Sequence, residues 1–394
     1  MRSAVRAIVN SRRTRAAERL TEIEEGLRGA GGAALIRELE NTQRAVRHGP
    51  EASVGPSTNS VRPASKNVSV SVCYLIPPMH VVVASHQPLP ATGYGGPQRV
   101  IVALIRGLAA LGHRVTLLAP PATRVPEAKV VTVPPRKLAD AKTLAEFVPR
   151  DADIVHAHFL LAAAPGPTPF VQTVHRNLKS GARSGPNSIF LSRDHARRHN
   201  SEVFVYNGLD PADYIFRRFP RRPSQYDLFL GALHSAKGYH WAVAAAKHTG
   251  HRLIVAGGWR PSFTGSIKYV GEVDGTTKAA LLARARCVWN PAEWDEPFGL
   301  VTIEALLSGT PVLGSHRGAL PELITPEVGA LCDTEDEMIA AAETIHTREP
   351  AACRRHAERY FTHRVMAGEY VRLYGHLLEK GTLPAGTPTP AAGG

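Results

Sequence analysis

The chain has 394 residues, 43% hydrophobic and 21% charged, enough for two domains of ordinary size, each with its own core. No apolar run reaches the roughly 18 residues of a spanning helix, and the arginine-bearing N-terminus lacks the apolar core and small-residue cleavage site of an export signal. The formal charge of +13, of which +5 falls in residues 1–78, attracts polyanions of any kind without choosing among them.

Residues 1–50 have helical composition with alternating charges, and residues 49–68 turn to Gly, Pro, Ser, Thr and Asn, which reads as a linker. Residues 1–78 are therefore expected to be a non-catalytic extension. They hold no aromatic residue before Tyr74, so they lack the stacking platforms of a single-strand nucleic-acid binder, and no nucleic-acid partner is expected. Cys73, Cys287, Cys332 and Cys353 are widely spaced, which gives neither a disulfide framework nor a zinc site and fits a reducing compartment. Cys287, in Ala-Arg-Cys-Val-Trp, reads as a small core residue.

Short apolar strands then alternate with helical patterns. His80–Ala84, Arg114–Ala119, Asp153–His158 and Phe170–His175 read as buried strands, with a helix over Val100–Leu111. A second series follows Asn207-Gly208, with strands at Leu228–Gly231, Arg252–Ala256, Cys287–Asn290 and Pro311–Gly314 and helices at Tyr239–Lys247, Thr277–Ala285 and Leu300–Leu307. Two successive βα series predict two Rossmann-like, doubly wound domains facing across a cleft, over 79–206 and 207–365. Residues 366–394 should form an amphipathic helix (Met366–Leu378) and then a Pro/Gly/Thr-rich tail, disordered from Pro384.

The most informative stretch is Glu296-Pro-Phe-Gly-Leu-Val-Thr-Ile-Glu304. Pro-Phe-Gly is loop chemistry and the residues after it are helical, so Glu304 should lie about one turn inside a helix, with Glu296 in the loop before it. A helix N-terminus offers unpaired N–H groups and a positive dipole end, which suits a diphosphate. Carboxylates flanking it can accept hydrogen bonds from sugar or ribose hydroxyls.

That stretch sits within Tyr269-Val-Gly-Glu-Val, Lys278, Pro291, Trp294-Asp-Glu-Pro-Phe-Gly-Leu-Val, Glu304-Ala, Gly309-Thr-Pro-Val, Gly318 and Pro321-Glu322, in that order. Together with Gly93-Tyr-Gly-Gly96, Gly112-His-Arg-Val-Thr-Leu117, Asp153-Ile-Val-His-Ala-His158, Thr173-Val-His175, Asn207-Gly-Leu-Asp210 and Lys237-Gly238, it resembles the retaining glycosyltransferases of family 4, with the GT-B fold, over residues 79–378. The resemblance implies that Glu296 binds donor-sugar hydroxyls and that the N–H groups of Phe298, Gly299 and Leu300 approach sugar and phosphate. It implies that Glu304 takes the ribose, Lys237 neutralises the leaving diphosphate, and His175 contacts the sugar near the reacting carbon. Gly95 and Gly96 would let backbone approach the donor closely.

The implied reaction moves a sugar from a UDP- or GDP-linked donor to a hydroxyl of a glycan, lipid-linked or small-molecule acceptor, with retention and without cofactor or metal. Rival readings are a sugar-nucleotide epimerase of the same fold and a nucleotide-sugar-binding relative without turnover. A cytoplasmic location is expected, with peripheral contact at the inner membrane face. Two departures from the family pattern stand out. Ala232 occupies the place of a usual arginine, with His234 and the Arg217-Arg218…Arg221-Arg222 cluster as candidate substitutes. Gln98 replaces an acidic residue. His156 and His158 are expected on alternate faces of their strand and to be structural. Asp151-Ala-Asp153 precedes its strand and is expected to be a decoy for a metal-binding Asp-x-Asp.

Overall fold

A computed structural model describes residues 76–387, apart from 92, 94, 180, 220–224 and 262–264. Nearly all of the proposed N-terminal extension thus lies outside the described residues, as do Arg221 and Arg222.

The first sheet contains β1 (His80–Ala84), β2 (Arg114–Ala119), β3 (Lys129–Thr132), β4 (Ile154–Ala157), β5 (Phe170–Thr173) and β6 (Ser188–Ile189), in the order β3-β2-β1-β4-β5-β6. The second contains β7 (Asp227–Leu230), β8 (Leu253–Ala256), β9 (Ile267–Tyr269), β10 (Val288–Asn290), β11 (Val312–Ser315) and β12 (Gly329–Cys332), in the order β12-β11-β10-β7-β8-β9. Every pairing within both sheets is parallel. Each order reverses once, between β1 and β4 and between β10 and β7. In doubly wound sheets ligands collect beyond the carboxyl ends of the strands at such a reversal. The protein is thus two Rossmann-like domains facing across a cleft.

Central strands are apolar on both faces because helices cover both sides; β1 and β4 are buried along their whole length. The Gly96–Ala110 helix turns Val100, Ile101, Leu104, Ile105 and Leu108 inward at the three-to-four spacing of one helical face. It starts with Pro97 in its first turn, where a missing N–H leaves no intrahelical bond unmade.

The chain crosses between domains at two touching points. Leu209 N–H donates to Phe361 O (3.0 Å), and His363 N–H donates to Leu209 O (2.9 Å). After the second crossing the His363–Lys380 helix returns to the first domain, where Tyr370, Leu373, Tyr374 and Leu377 join the core around β1 and the Gly96–Ala110 helix. Gly107 makes that approach close: a Cβ there would lie 2.4 Å from His363 O.

The tail departs from expectation. Residues 384–387 are ordered against the first domain, with Thr387 N–H donating to Glu202 O (3.1 Å) and Phe204 N–H to Thr387 Oγ1 (2.9 Å). Paired backbone offsets the Pro/Gly composition there. Residues 388–394 lie outside the described residues. Cys287, Cys332 and Cys353 are buried and form no disulfide with one another; Cys287 packs beside the buried Asp227–Arg286 pair, with its Sγ 3.4 Å from Asp227.

Candidate active site

A cavity of about 370 Å³ opens between the two sheets. Its walls come from segments that follow strands at or next to the two reversals: Gly96 and Arg99 beyond β1, His175 beyond β5, Gly231, Ala232 and Lys237 beyond β7, and residues between Asn290 and Glu304 from β10 onward. His175, Lys237, Glu296, Gly96, Phe298, Gly299, Leu300 and Glu304, which lie far apart in sequence, all line it.

Gly299 begins the Leu300–Leu307 helix from the left-handed region, at φ +97°, and a Cβ there would sit 2.9 Å from Leu320 Cδ2. Only glycine takes that turn without strain. The turn aims the N-terminal end of the helix at the cavity, and the first N–H groups of a helix have no intrahelical acceptor. Phe298 is buried against Tyr206 and Phe361, which holds the loop in place.

Glu296 is buried on the cavity wall. Its Oε2 accepts from Lys237 Nζ (2.5 Å) and Trp294 Nε1 (3.0 Å), while the Lys237 ammonium also stands 4.7 Å from the centre of the Trp294 ring. Lys237 ends a short 3₁₀ turn whose cap is His234, the imidazole accepting from Ala236 N–H (3.2 Å). Glu304 is almost fully buried. Its Oε1 accepts from Lys278 Nζ (2.8 Å), from Tyr214 OH (3.1 Å) and from the Arg99 guanidinium across the cleft. Burial alone would raise the Glu304 pKa, but Arg99 and Lys278 outweigh it and hold the carboxyl below its ordinary range. Arg99 is likewise pulled down by burial and lifted further by Glu304 and Tyr214, so it stays charged.

His175 Nε2 lies 2.9 Å from His158 Nδ1. Burial, with the neighbouring His86 and Arg176, lowers the His175 pKa to about 3, so the ring is neutral near pH 7.

Several sequence expectations are sharpened or corrected by this geometry. Gly95 is not on the cavity wall: the place of its Cβ is taken by Gln98 Oε1 (2.2 Å) and Ala91 Cβ (2.4 Å), so its lack of a side chain serves the fold of the loop. Gln98 itself donates to Pro88 O (2.8 Å). His156 and His158 do not lie on alternate faces. Residues two apart along a strand share a side, and their rings stack at 4.2 Å. Ala232 lines the cavity and itself brings no charge to that point. His234 serves as a cap, and Arg217 and Arg218 line a separate surface hollow with Ile215 and Phe219. Among the described residues that line the cavity, the cation beside Lys237 is Arg99, which the sequence reading missed. Its signal was an arginine three residues after the Gly95-Gly96 pair, within the first turn of a helix. Asp151 and Asp153 sit at the opposite, amino ends of the strands, engaged by Arg114 (2.5 Å) and by His80 N–H (2.8 Å).

Several polar contacts among the described residues join the domains around this cavity. Besides Arg99–Glu304, Ser192 Oγ donates to Pro297 O (2.8 Å) and Asn177 Nδ2 to Asp295 O (2.8 Å). The Glu322 carboxylate accepts from Arg193 N–H (2.9 Å), Asp194 N–H (2.8 Å) and Tyr206 OH (2.8 Å).

Two Rossmann-like domains enclosing a cleft at their strand reversals define the GT-B class of proteins. A family model described as Glycosyltransferase Family 4 matches residues 94–215, and one described as Glycosyl transferases group 1 matches residues 225–347. The chain belongs to this glycosyltransferase family.

The glycogen synthase of Mycobacterium tuberculosis is 33% identical over 260 residues, 52% of this chain and 62% of that protein, so the match spans less than two thirds of its length. The phosphatidyl-myo-inositol mannosyltransferase of Mycolicibacterium smegmatis is 26% identical over 314 residues, 64% of this chain and 80% of that protein. The crystal structure of AviGT4, a glycosyltransferase involved in avilamycin A biosynthesis, superposes with a TM-score of 0.62 at 27% identity, covering 78% of this chain and 100% of that one.

Proposed function

We propose that the protein transfers a sugar from a nucleotide-diphosphate donor, UDP- or GDP-linked, to a hydroxyl of a glycan or lipid-linked acceptor, with retention of anomeric configuration. The observation that carries this reading is the convergence of Lys237, Glu296, His175 and the Leu300 helix end on one cavity. Glu304 holds the ribose end of the donor. The helix end and Lys237 take the diphosphate, and Glu296, once Lys237 turns to phosphate, accepts hydroxyls of the sugar.

The carboxylates among the described residues lining the cavity are Glu296 and Glu304, each engaged by cations. Neither is placed as a nucleophile on the first-domain side, which favours front-face attack. In that step the anomeric carbon–phosphate oxygen bond breaks, the acceptor oxygen bonds to the same face, and its proton passes to the leaving phosphate. Positioning and charge stabilisation carry the rate, with the positive charge supplied by Lys237 and the helix end rather than by a metal or cofactor. On this reading the residues 79–206 side receives the acceptor, 207–365 holds the donor, and the enzyme is cytoplasmic with peripheral contact at a membrane surface. No helix among the described residues is long and apolar enough to cross a membrane.

A thermal-shift screen of nucleotide-sugars tests the donor, because a ligand that binds only the native state raises its melting temperature. One donor class should raise it, and NMR of the product should find the donor's anomeric configuration. No shift with any nucleotide-sugar rejects the donor site, and an inverted product rejects the front-face step.

A further inference from the structure

His158 is 3% exposed, and its ring is boxed in. It stacks on His156, which is itself held between Tyr374 OH (2.6 Å) and Thr173 Oγ1 (2.7 Å). The Thr173 hydroxyl in turn meets Tyr370 OH at 2.9 Å. Among the described residues, the one polar contact of the His158 ring is from Nδ1 to His175 Nε2, at 2.9 Å. Its Nε2 is buried without a hydrogen-bond partner among the described residues. Burial keeps both rings neutral, with His158 well below its ordinary pKa and His175 at about 3.

Two neutral imidazoles joined nitrogen to nitrogen share a single proton across the contact, and each carries one proton in all. This leaves two arrangements. If His175 donates from Nε2, the proton of His158 must sit on its own Nε2, a buried N–H with no acceptor, which folded proteins rarely tolerate. If His158 donates from Nδ1, its Nε2 is bare, no N–H is stranded, and His175 must carry its own proton on Nδ1. His175 lines the cleft, and its Nδ1 has no protein hydrogen bond among the described residues.

We infer that His158 is a positioning residue that locks His175 in the Nδ1–H tautomer, so that His175 presents a hydrogen-bond donor to an oxygen of the ligand. The identity of that ligand as a donor sugar rests on the proposed function; the tautomer does not. The arrangement selects sugars carrying an oxygen at the point His175 faces, and disfavours deoxy analogues lacking it.

The decisive measurement is ¹⁵N NMR of the histidine side chains in the full chain at neutral pH, with His175 assigned through a His175→Asn variant. His175 is expected with Nδ1 protonated and Nε2 bare. His158→Phe, which keeps ring volume but removes the donor, should lose this pattern and about tenfold in kcat, the scale of one lost hydrogen bond. His158→Asn places an amide nitrogen where Nδ1 was and should retain both. His158→Gln places its nitrogen nearer the Nε2 end and should not. An Nε2-protonated His175 in the unaltered protein overturns the inference, as does unchanged turnover in the Phe and Gln variants. Failure to find transfer at all, with the Nδ1–H tautomer present, rejects the proposed function and leaves this inference standing.

Discussion

At the scale of single residues, the cavity shows charged groups neutralising one another before any ligand arrives. Lys237 rests on Glu296 and Trp294, while Arg99 and Lys278 share Glu304. Lys237→Ala should lower kcat by roughly 10²–10³-fold, the usual loss when one preorganised electrostatic group is removed. The melting temperature should stay nearly unchanged, since a partly exposed ion pair contributes only about 1 kcal/mol or less. Steady-state kinetics beside a thermal melt separates the two. Lys237, Glu296 and Glu304, which all line the cavity, were marked in the sequence by the Pro-Phe-Gly turn and by the family resemblance. The sequence did not identify Arg99 or Tyr214. They reach Glu304 through space, from positions 205 and 90 residues away, and no local spacing encodes that.

At the scale of elements, the turn into the Leu300–Leu307 helix and the strand ends bearing histidines are the sensitive points. Gly299→Ala puts a Cβ at φ +97° and 2.9 Å from Leu320 Cδ2, so it should destabilise the fold by about 1–3 kcal/mol. Denaturant titration reads that loss, and donor binding should weaken with it because the helix end shifts. Acid should act at the ends of β4 and β5. The pKa values of His156 and His175 are lowered to about 3 by burial, and further by neighbouring histidines and, for His175, Arg176. Between pH 6.5 and 3 the unfolded chain therefore binds more protons than the folded one, and stability falls as pH falls. From pH 7 to pH 5 each of these two histidines should cost about 2 kcal/mol. Urea titrations at the two pH values check this, and a Tyr374→Phe control should leave the pH slope in place. The strands the sequence did not reveal are β3, β6, β9 and β12, which are the four edges of the two sheets. These strands are short, two to four residues, and β3 is also half-exposed, so they lack the continuous apolar run that marks a central strand.

At the scale of the whole molecule, cleft width is set by a few polar contacts between domains. Glu322 is the densest of them, accepting three hydrogen bonds from the first-domain side. Glu322→Leu removes all three, each worth about 1.5–3 kcal/mol when the acceptor is charged. The variant should open the cleft, raising the radius of gyration in small-angle scattering and the KM for donor, with a smaller effect on the melting of each domain. An unchanged radius would mean that the remaining contacts suffice to hold the domains.

The sequence by itself determined the class of fold, the central strands of both sheets and the loop-to-helix turn at Glu296–Glu304, because periodicity, glycine placement and local spacing are written along the chain. Tertiary structure alone decided that the last helix returns to the first domain, that the rings of His156, His158 and His175 form one stacked row running from the core to the cleft, and that Arg99 joins Lys237 as a cation on the cavity wall. Each of these depends on which side chains meet after the chain has crossed twice between domains, and such meetings leave no mark in the order of neighbours.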